Sequence, residues 1–325
     1  MLSSSANGIY WMARYMERAS FMCRLLHIQS EALVDRPIAE IEFGWRRIYT
    51  AIDRNPLGGI QGADSEDDYT LVDAYLLTDE LTFVRENPES ILSCLERGRE
   101  NARQIRNCVS EQMWTALNTE YLRIRDIKLT DIWLSSPGNF YAQLLAGIDR
   151  FTGVATATMY RDEGWHFFRV GQFIERVQFS CSLLLTQTRL EIQYGELAEA
   201  SWRSLLRIFH ASGAYDRNYS IEIQPELVLD LLVTDRRIPE ALLRSVDRTT
   251  QELASLGDGP NAASSGALRR LAGRLGALLR YDWPDRDDRE EVLLQVLTYS
   301  RQLHNLLSET YFDYAIQGMP RSDMR

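Results

Sequence analysis

Two Glu-Arg pairs, Glu17-Arg18 and Glu175-Arg176, lie inside runs that are otherwise apolar on nearly every side: Tyr-Met-Glu-Arg-Ala-Ser-Phe-Met-Cys-Arg-Leu-Leu at 15–26 and Phe-Ile-Glu-Arg-Val-Gln-Phe-Ser-Cys-Ser-Leu-Leu at 173–184. A carboxyl group in such a setting has two chemical uses. With its pKa raised by burial it can pass a proton as general acid or base, so Glu17 and Glu175 are the candidate catalytic residues. Alternatively it cancels a cation elsewhere in the core, because a buried charge needs a partner. Arg14, Arg18 and Arg176 are the candidate ligand-binding residues, since a guanidinium fork matches a carboxylate or phosphate in bidentate fashion. Arg14, Arg18 and Arg24 leave the first run with excess positive charge, whereas Gln172 and Ser182 stand in the places of Arg14 and Arg24 in the second.

The elements that carry these residues are long helices. A helix that is apolar all round is a buried helix. Adjacent helical residues point about 100° apart, so Glu17 cannot readily satisfy Arg18, nor Glu175 Arg176. The reading that follows is a cross-pairing: two long helices packed antiparallel about a pseudo-twofold axis, Glu17 reaching Arg176 and Glu175 reaching Arg18. Those four residues then form structural ion pairs, and removing one partner from such a pair costs roughly 3–5 kcal/mol.

The likeness of the two runs extends along the chain. Sliding the sequence against itself by about 150–158 residues places Trp45-Arg46 on Trp202-Arg203, Pro88-Glu89 on Pro239-Glu240, and the run 144–160 on 295–311. Collinear matches of this kind predict an all-α fold of about twelve helices, arranged as two tandem pseudo-symmetric six-helix units (1–162 and 163–325) packed into one bundle. The expected helices lie near 5–32, 38–54, 67–78, 88–108, 111–127 and 138–161, then 164–194, 199–211, 224–234, 239–256, 263–281 and 287–316. Pro88 and Pro239 suit a first helical turn, and Ser65 with Asp68 resembles a cap. Loops are expected at 55–66 and 256–266. Tyr160-Arg161-Asp162-Glu163-Gly164-Trp165 is a tight junction with no flexible linker, so residues 1–325 are read as a single domain.

Composition and motifs narrow the function. The chain has 325 residues, 45% hydrophobic and 25% charged, with a formal net charge of −10, which argues against general nucleic-acid binding. No apolar run reaches the roughly 18–20 residues that span a bilayer, and the N-terminus lacks the pattern of a secretory signal; a cytoplasmic protein is expected. Cys23, Cys94, Cys108 and Cys181 have no metal-ligand or CxxC spacing, and Cys23 and Cys181 fall on matching positions of the two runs. Only four histidines are present. Glu163-Gly164-Trp165-His166 is one Glu-x-x-His where a dimetal carboxylate site needs two, and His27 with Glu31 is an isolated pair. No metal and no cofactor is therefore expected, and the absence of a GxxxxGK[ST] or GxGxxG loop leaves ATP to a partner.

The segments Tyr10-Trp11-Met12-Ala13-Arg14-Tyr15-Met16-Glu17-Arg18-Ala19 and Gly171-Gln172-Phe173-Ile174-Glu175-Arg176 resemble the two signature helices of the bacterial alpha-E family, an all-helical domain named for its Glu-Arg motif. The resemblance continues through Glu100-Asn101-Ala102-Arg103, Met113-Trp114, Leu117-Asn118, Gln224-Pro225 and Leu229-Asp230-Leu231-Leu232. Gln172 departs from the pattern, which more often has a second arginine there. Members of that family are typically encoded beside, or fused to, circularly permuted ATP-grasp proteins and transglutaminase-like cysteine peptidases. The resemblance thus implies an accessory or co-catalytic helical subunit of an ATP-grasp-type peptide ligation or modification system, binding a peptide or docking the ligase. A stand-alone enzyme using the Glu/Arg cluster, and a purely structural scaffold, are the alternatives.

Overall fold

The computed structural model describes residues 1–55, 67–133, 135–193, 198–219, 222–257, 262–286 and 288–312. The order of elements is α1 (Ser3–Asp35), α2 (Ile38–Ala51), α3 (Asp67–Thr82), α4 (Ile91–Gln104), α5 (Glu111–Ile124), α6 (Leu129–Trp133), α7 (Pro137–Thr158), α8 (Glu163–Gln193), α9 (Ala198–Ile208), α10 (Ser212–Asn218), α11 (Pro225–Thr234), α12 (Leu242–Ser255), α13 (Ala262–Ala277), a π turn (Leu278–Asp282), α14 (Trp283–Asp285) and α15 (Arg289–Tyr311). No strand occurs among the described residues. Each of the twelve expected segments overlaps one of these helices. The short α6, α10 and α14 lie in connections that carry no long periodic pattern. Ser65, with most of the loop at 55–66, lies outside the described residues, as do 258–261 of the second expected loop; α13 begins at Ala262, inside that stretch.

Local chemistry sets the helix ends. Arg36 precedes Pro37, which disfavours helical backbone at the preceding residue, so α1 stops at Asp35. Asp162 accepts hydrogen bonds from the backbone N–H of Gly164 (2.9 Å) and Trp165 (3.4 Å) and caps α8 after a connection of only four residues, 159–162. Pro88 and Pro239 are not in first helical turns, as had been expected. Ser90 accepts from the Ser93 N–H (3.2 Å) and starts α4 at Ile91, and α12 starts at Leu242. The two Pro-Glu dipeptides occupy tight turns just ahead of these helices.

The long rods α1 and α8 are the centre of the molecule. They pack on each other; α1 also packs on α4 and α7, and α8 on α12 and α15. Outside them, α5 packs on α4 and α7, and α13 on α12 and α15. Buried residues cover several faces of α1, among them Ile9, Tyr10, Met12, Ala13, Met16 and Ala19. The direction of the rods differs from the antiparallel expectation. The Met1 amino group bonds Glu163 at the start of both helices, Gly171 lies against Tyr10, and Phe21 meets Phe179 with ring centroids 5.1 Å apart. The rods therefore run side by side in the same direction. Cross-pairing of Glu and Arg is blind to direction: a twofold relation about an axis along the rods satisfies it as well as one across them. The close approach depends on Gly171, where a Cβ would run into the Tyr10 carbonyl oxygen.

Candidate functional site

Halfway along the two rods the structure brings Arg14, Glu17, Arg18, Glu175 and Arg176 together. Glu175 is buried and held from both sides: Arg14 Nε donates to its Oε2 (2.5 Å) and Arg18 Nε to its Oε1 (2.6 Å). Arg18 Nη1 also donates to Glu89 Oε1 (3.0 Å). Across the interface Arg176 Nε donates to Glu17 Oε1 (2.6 Å) and lies 3.4 Å from Glu240 Oε2. Gln172, which stands in the register of Arg14, donates its amide to Glu17 Oε2 (3.1 Å) and accepts from Arg169 Nη1 (2.6 Å). Arg24 donates to Glu240 Oε2 (3.2 Å) and to the Ile208 carbonyl (3.0 Å). Glu89 and Glu240 thus take equivalent places, each delivered by its Pro-Glu turn.

Four arginines, 14, 18, 24 and 176, therefore face four glutamates, 17, 89, 175 and 240, and the cluster is neutral. The excess positive charge of the α1 sequence is met by acids from α8 and from the two turns. Arg14 and Arg18 do hold a carboxylate, and it is the protein's own. Burial alone would push the Glu175 carboxyl up; the Arg14 and Arg18 guanidinium groups more than reverse this and bring it down to about 2. The raised pKa that acid-base chemistry wants is the opposite of what Glu175 has. Glu240 is likewise pushed up by burial and drawn below the ordinary carboxylate range by Arg176 and Arg24. Burial disfavours the charged guanidinium of Arg18 and Arg176, but their carboxylates prevail, and both are held more firmly protonated than a free arginine.

A polar chain leads outward from Arg14. Its Nη1 donates to the Tyr10 hydroxyl (3.3 Å), which lies 2.8 Å from His304 Nδ1, and its Nη2 donates to Gln178 Oε1 (2.8 Å). Arg14 also lies 4.7 Å from the Trp11 ring centroid, so this aromatic is packing for a cation within the core. Burial, with Arg14 nearby, lowers His304 to about 4, and burial raises Tyr10 to about 12. Both stay neutral at physiological pH. Among the described residues no group of three or more His, Cys, Asp or Glu is placed to hold a metal ion. Glu163 pairs with the Met1 amino group, while His166 pairs with Glu252 (2.7 Å) and His27 with Glu31 (3.3 Å). The four cysteines are free thiols. Cys23 donates to the Tyr141 carbonyl (3.2 Å) and Cys181 to the Leu293 carbonyl (2.9 Å), matching helix contacts at matching positions. No described helix is long and apolar enough to cross a membrane.

Sequence reasoning had named five members of the cluster and missed Glu89 and Glu240 as their partners. A signal was available: Pro88-Glu89 and Pro239-Glu240 belong to the same collinear series of matches as the Glu-Arg pairs, and a charge repeated in both halves alongside a buried counter-charge is a candidate partner. Tyr10 lies four residues before Arg14 on α1, within reach on the same helix face, whereas Gln178 depends on how α8 lies along α1 and His304 on where α15 is placed, which the sequence did not signal.

Fold and site together define an all-helical protein organised around a buried, self-neutralised Glu-Arg core shared by two parallel rods. The chain belongs to the alpha-E family, described as a predicted alpha-helical domain with a conserved ER motif, which matches residues 1–312. It is similar to an uncharacterised protein of Mycobacterium bovis and to uncharacterised proteins of two strains of Mycobacterium tuberculosis, at 25% identity over 295 residues. The similarity covers 86% of this chain but only 32% of each relative, so the chain spans about a third of the length of the relatives it matches. No solved structure matches it.

Proposed function

We propose that this chain is a helical accessory or co-catalytic subunit of an ATP-grasp-type amide-ligation system, which docks the ligase or presents a peptide to it in the cytoplasm. The observation that carries this reading is the share of the mycobacterial relatives occupied by the matching unit, 32% of their length. A helical unit joined in one polypeptide to twice its own length of other sequence is arranged as a module that works with a partner. The core supports a supporting role too: a carboxyl group held at about 2 between two arginines is a poor proton carrier at neutral pH. The partners in this reading are a circularly permuted ATP-grasp ligase-like protein and a transglutaminase-like peptidase. A scaffold without any ligand is the second reading, favoured by the complete internal neutralisation of the cluster.

The same proposal includes a tandem duplication within one domain, residues 1–162 and 163–325. Its support is the common order of helices, the common packing of α4 and α7 on α1 and of α12 and α15 on α8, and the paired roles of Glu89 and Glu240. The function is tested by affinity capture of the tagged chain from its native cell, followed by an ATP-consumption assay of the captured ligase with and without the chain. Capture of an ATP-grasp protein whose turnover rises with the chain is the expected result. Failure to associate, together with unchanged turnover, refutes it.

A further inference from the structure

Away from the central cluster, a groove of about 720 Å³ opens where the C-terminal end of α1, the middle of α2 and the first turns of α9 meet. Its volume falls within the range of small-ligand sites. Arg47 forms part of its wall and, of the fully buried arginines, is the one with no ion pair among the described residues. Only 4% of Arg47 is exposed. Its Nη1 donates to Gln187 Oε1 (3.0 Å) and the Ser201 carbonyl (3.0 Å), and its Nη2 donates to Ser204 Oγ (2.8 Å). These are neutral acceptors, which hold the fork without cancelling its charge. Its Nε has no hydrogen-bond partner, and among the described residues no carboxylate forms an ion pair with it. Three of its five N–H donors are thus used, and Nε–H and one Nη2 hydrogen remain.

The contrast with the rest of the core is sharp. Arg14, Arg18 and Arg176 each face at least one carboxylate that keeps them protonated, whereas burial alone lowers Arg47 to about 10. At neutral pH it is still a cation, and a buried cation without an anion is a standing cost. In the register that places Trp45 on Trp202, the residue matching Arg47 is Ser204, which it touches. The cation is therefore present on one side only of an otherwise paired contact.

We propose that this groove is a binding site for a monoanionic carboxylate ligand with an apolar body, whose carboxylate completes the Arg47 fork. The ligand charge follows from the rim. Glu31, Asp35, Glu40 and Glu199 line the groove beside only three surface arginines, and those are engaged: Arg207 with Glu31, Arg203 with Glu199, and Arg36 with Asp35 and Glu40. A single negative charge neutralises Arg47, whereas a phosphate dianion would meet the acidic surplus of the rim. The apolar body follows from Ile28, Ala32, Phe43 and the 85% exposed Val34 on the same walls. The inference rests on Arg47 and the groove, and stands whether or not the chain serves a ligase.

The test is a nuclear magnetic resonance titration of the full chain, labelled with nitrogen-15 in arginine, with acetate, butyrate and 4-phenylbutyrate. 4-Phenylbutyramide and inorganic phosphate are the controls. The Arg47 Nε–H signal, identified by its proximity to the Phe43 ring and its loss in Arg47→Lys, is expected to move saturably with the carboxylates, more tightly as the apolar body grows. The amide and phosphate are expected to leave it in place. Arg47→Lys keeps the charge but loses the side-on fork, and affinity for 4-phenylbutyrate should fall about tenfold or more. Ser204→Ala, which frees a further Nη2 hydrogen, should retain binding. No saturable response to any of the three carboxylates overturns the proposal, as does an equal response to the amide or a response to phosphate alone. Undiminished affinity in a folded Arg47→Lys protein overturns it too, and if that variant does not fold, the wild-type titration and Ser204→Ala decide.

Discussion

Replacing Glu175 by glutamine tests the central cluster at its most committed residue. The substitution keeps the shape and two polar atoms but removes the charge that faces Arg14 Nε at 2.5 Å and Arg18 Nε at 2.6 Å. Arg18 keeps Glu89 at 3.0 Å. Arg14 keeps only the Tyr10 hydroxyl and Gln178, both neutral. One buried cation is thus left without an anion, and the expected loss is about 3–5 kcal/mol. For a chain of 325 residues this corresponds to a fall in Tm of about 4–7 °C. Glu17→Gln should cost less, because Arg176 retains Glu240 at 3.4 Å. Urea denaturation of both variants, with an Arg14→Gln/Glu175→Gln double-mutant cycle, measures the asymmetry and the pair coupling. A loss below about 0.5 kcal/mol for Glu175→Gln, or a larger loss for Glu17→Gln, would refute the reasoning.

Further outcomes follow from the same structure. The Glu175 carboxyl lies at about 2 in the folded chain against an ordinary 4.5, a depressed value. The resulting stabilisation, about 3 kcal/mol, is complete above pH 4.5 and lost as pH falls towards 2. Tm followed across that window should fall steeply with falling pH in the wild type and more gently in Glu175→Gln. Gly171→Ala forces a Cβ into the Tyr10 backbone and should destabilise by about 1–3 kcal/mol, whereas Gly153→Ala, on the open face of α7, should stabilise by about 0.5–1 kcal/mol; equal effects in chemical denaturation would contradict the close approach of the rods. A disulfide-exchange reagent should label the half-buried Cys108 first. Cys94, whose thiol burial lifts to about 12, should react only on unfolding, along with the buried Cys23 and Cys181.

The sequence by itself determined the helices, the burial of α1 and α8, and the identity of the charges that must meet. Apolar residues on every side of Glu17 and Glu175 leave no other environment for those runs, and two adjacent unlike charges on one helix require partners elsewhere. Cross-pairing was legible because it follows from charge balance alone. Direction was not legible: a twofold relation pairs Glu17 with Arg176 for parallel and antiparallel rods alike, and the choice falls to the backbone contact at Gly171 and the shared start near Met1 and Glu163. Helix starts were misjudged at Pro88 and Pro239 because proline suits a turn as well as a first helical turn, and the Ser90 cap decided for the turn at Pro88. Only the tertiary structure could deliver Glu89 and Glu240 to the cluster and leave Arg47 without a carboxylate partner among the described residues. Long-range electrostatics depends on which surfaces close on one another, and in a string of 325 residues an arginine with a carboxylate beside it in space looks the same as one without.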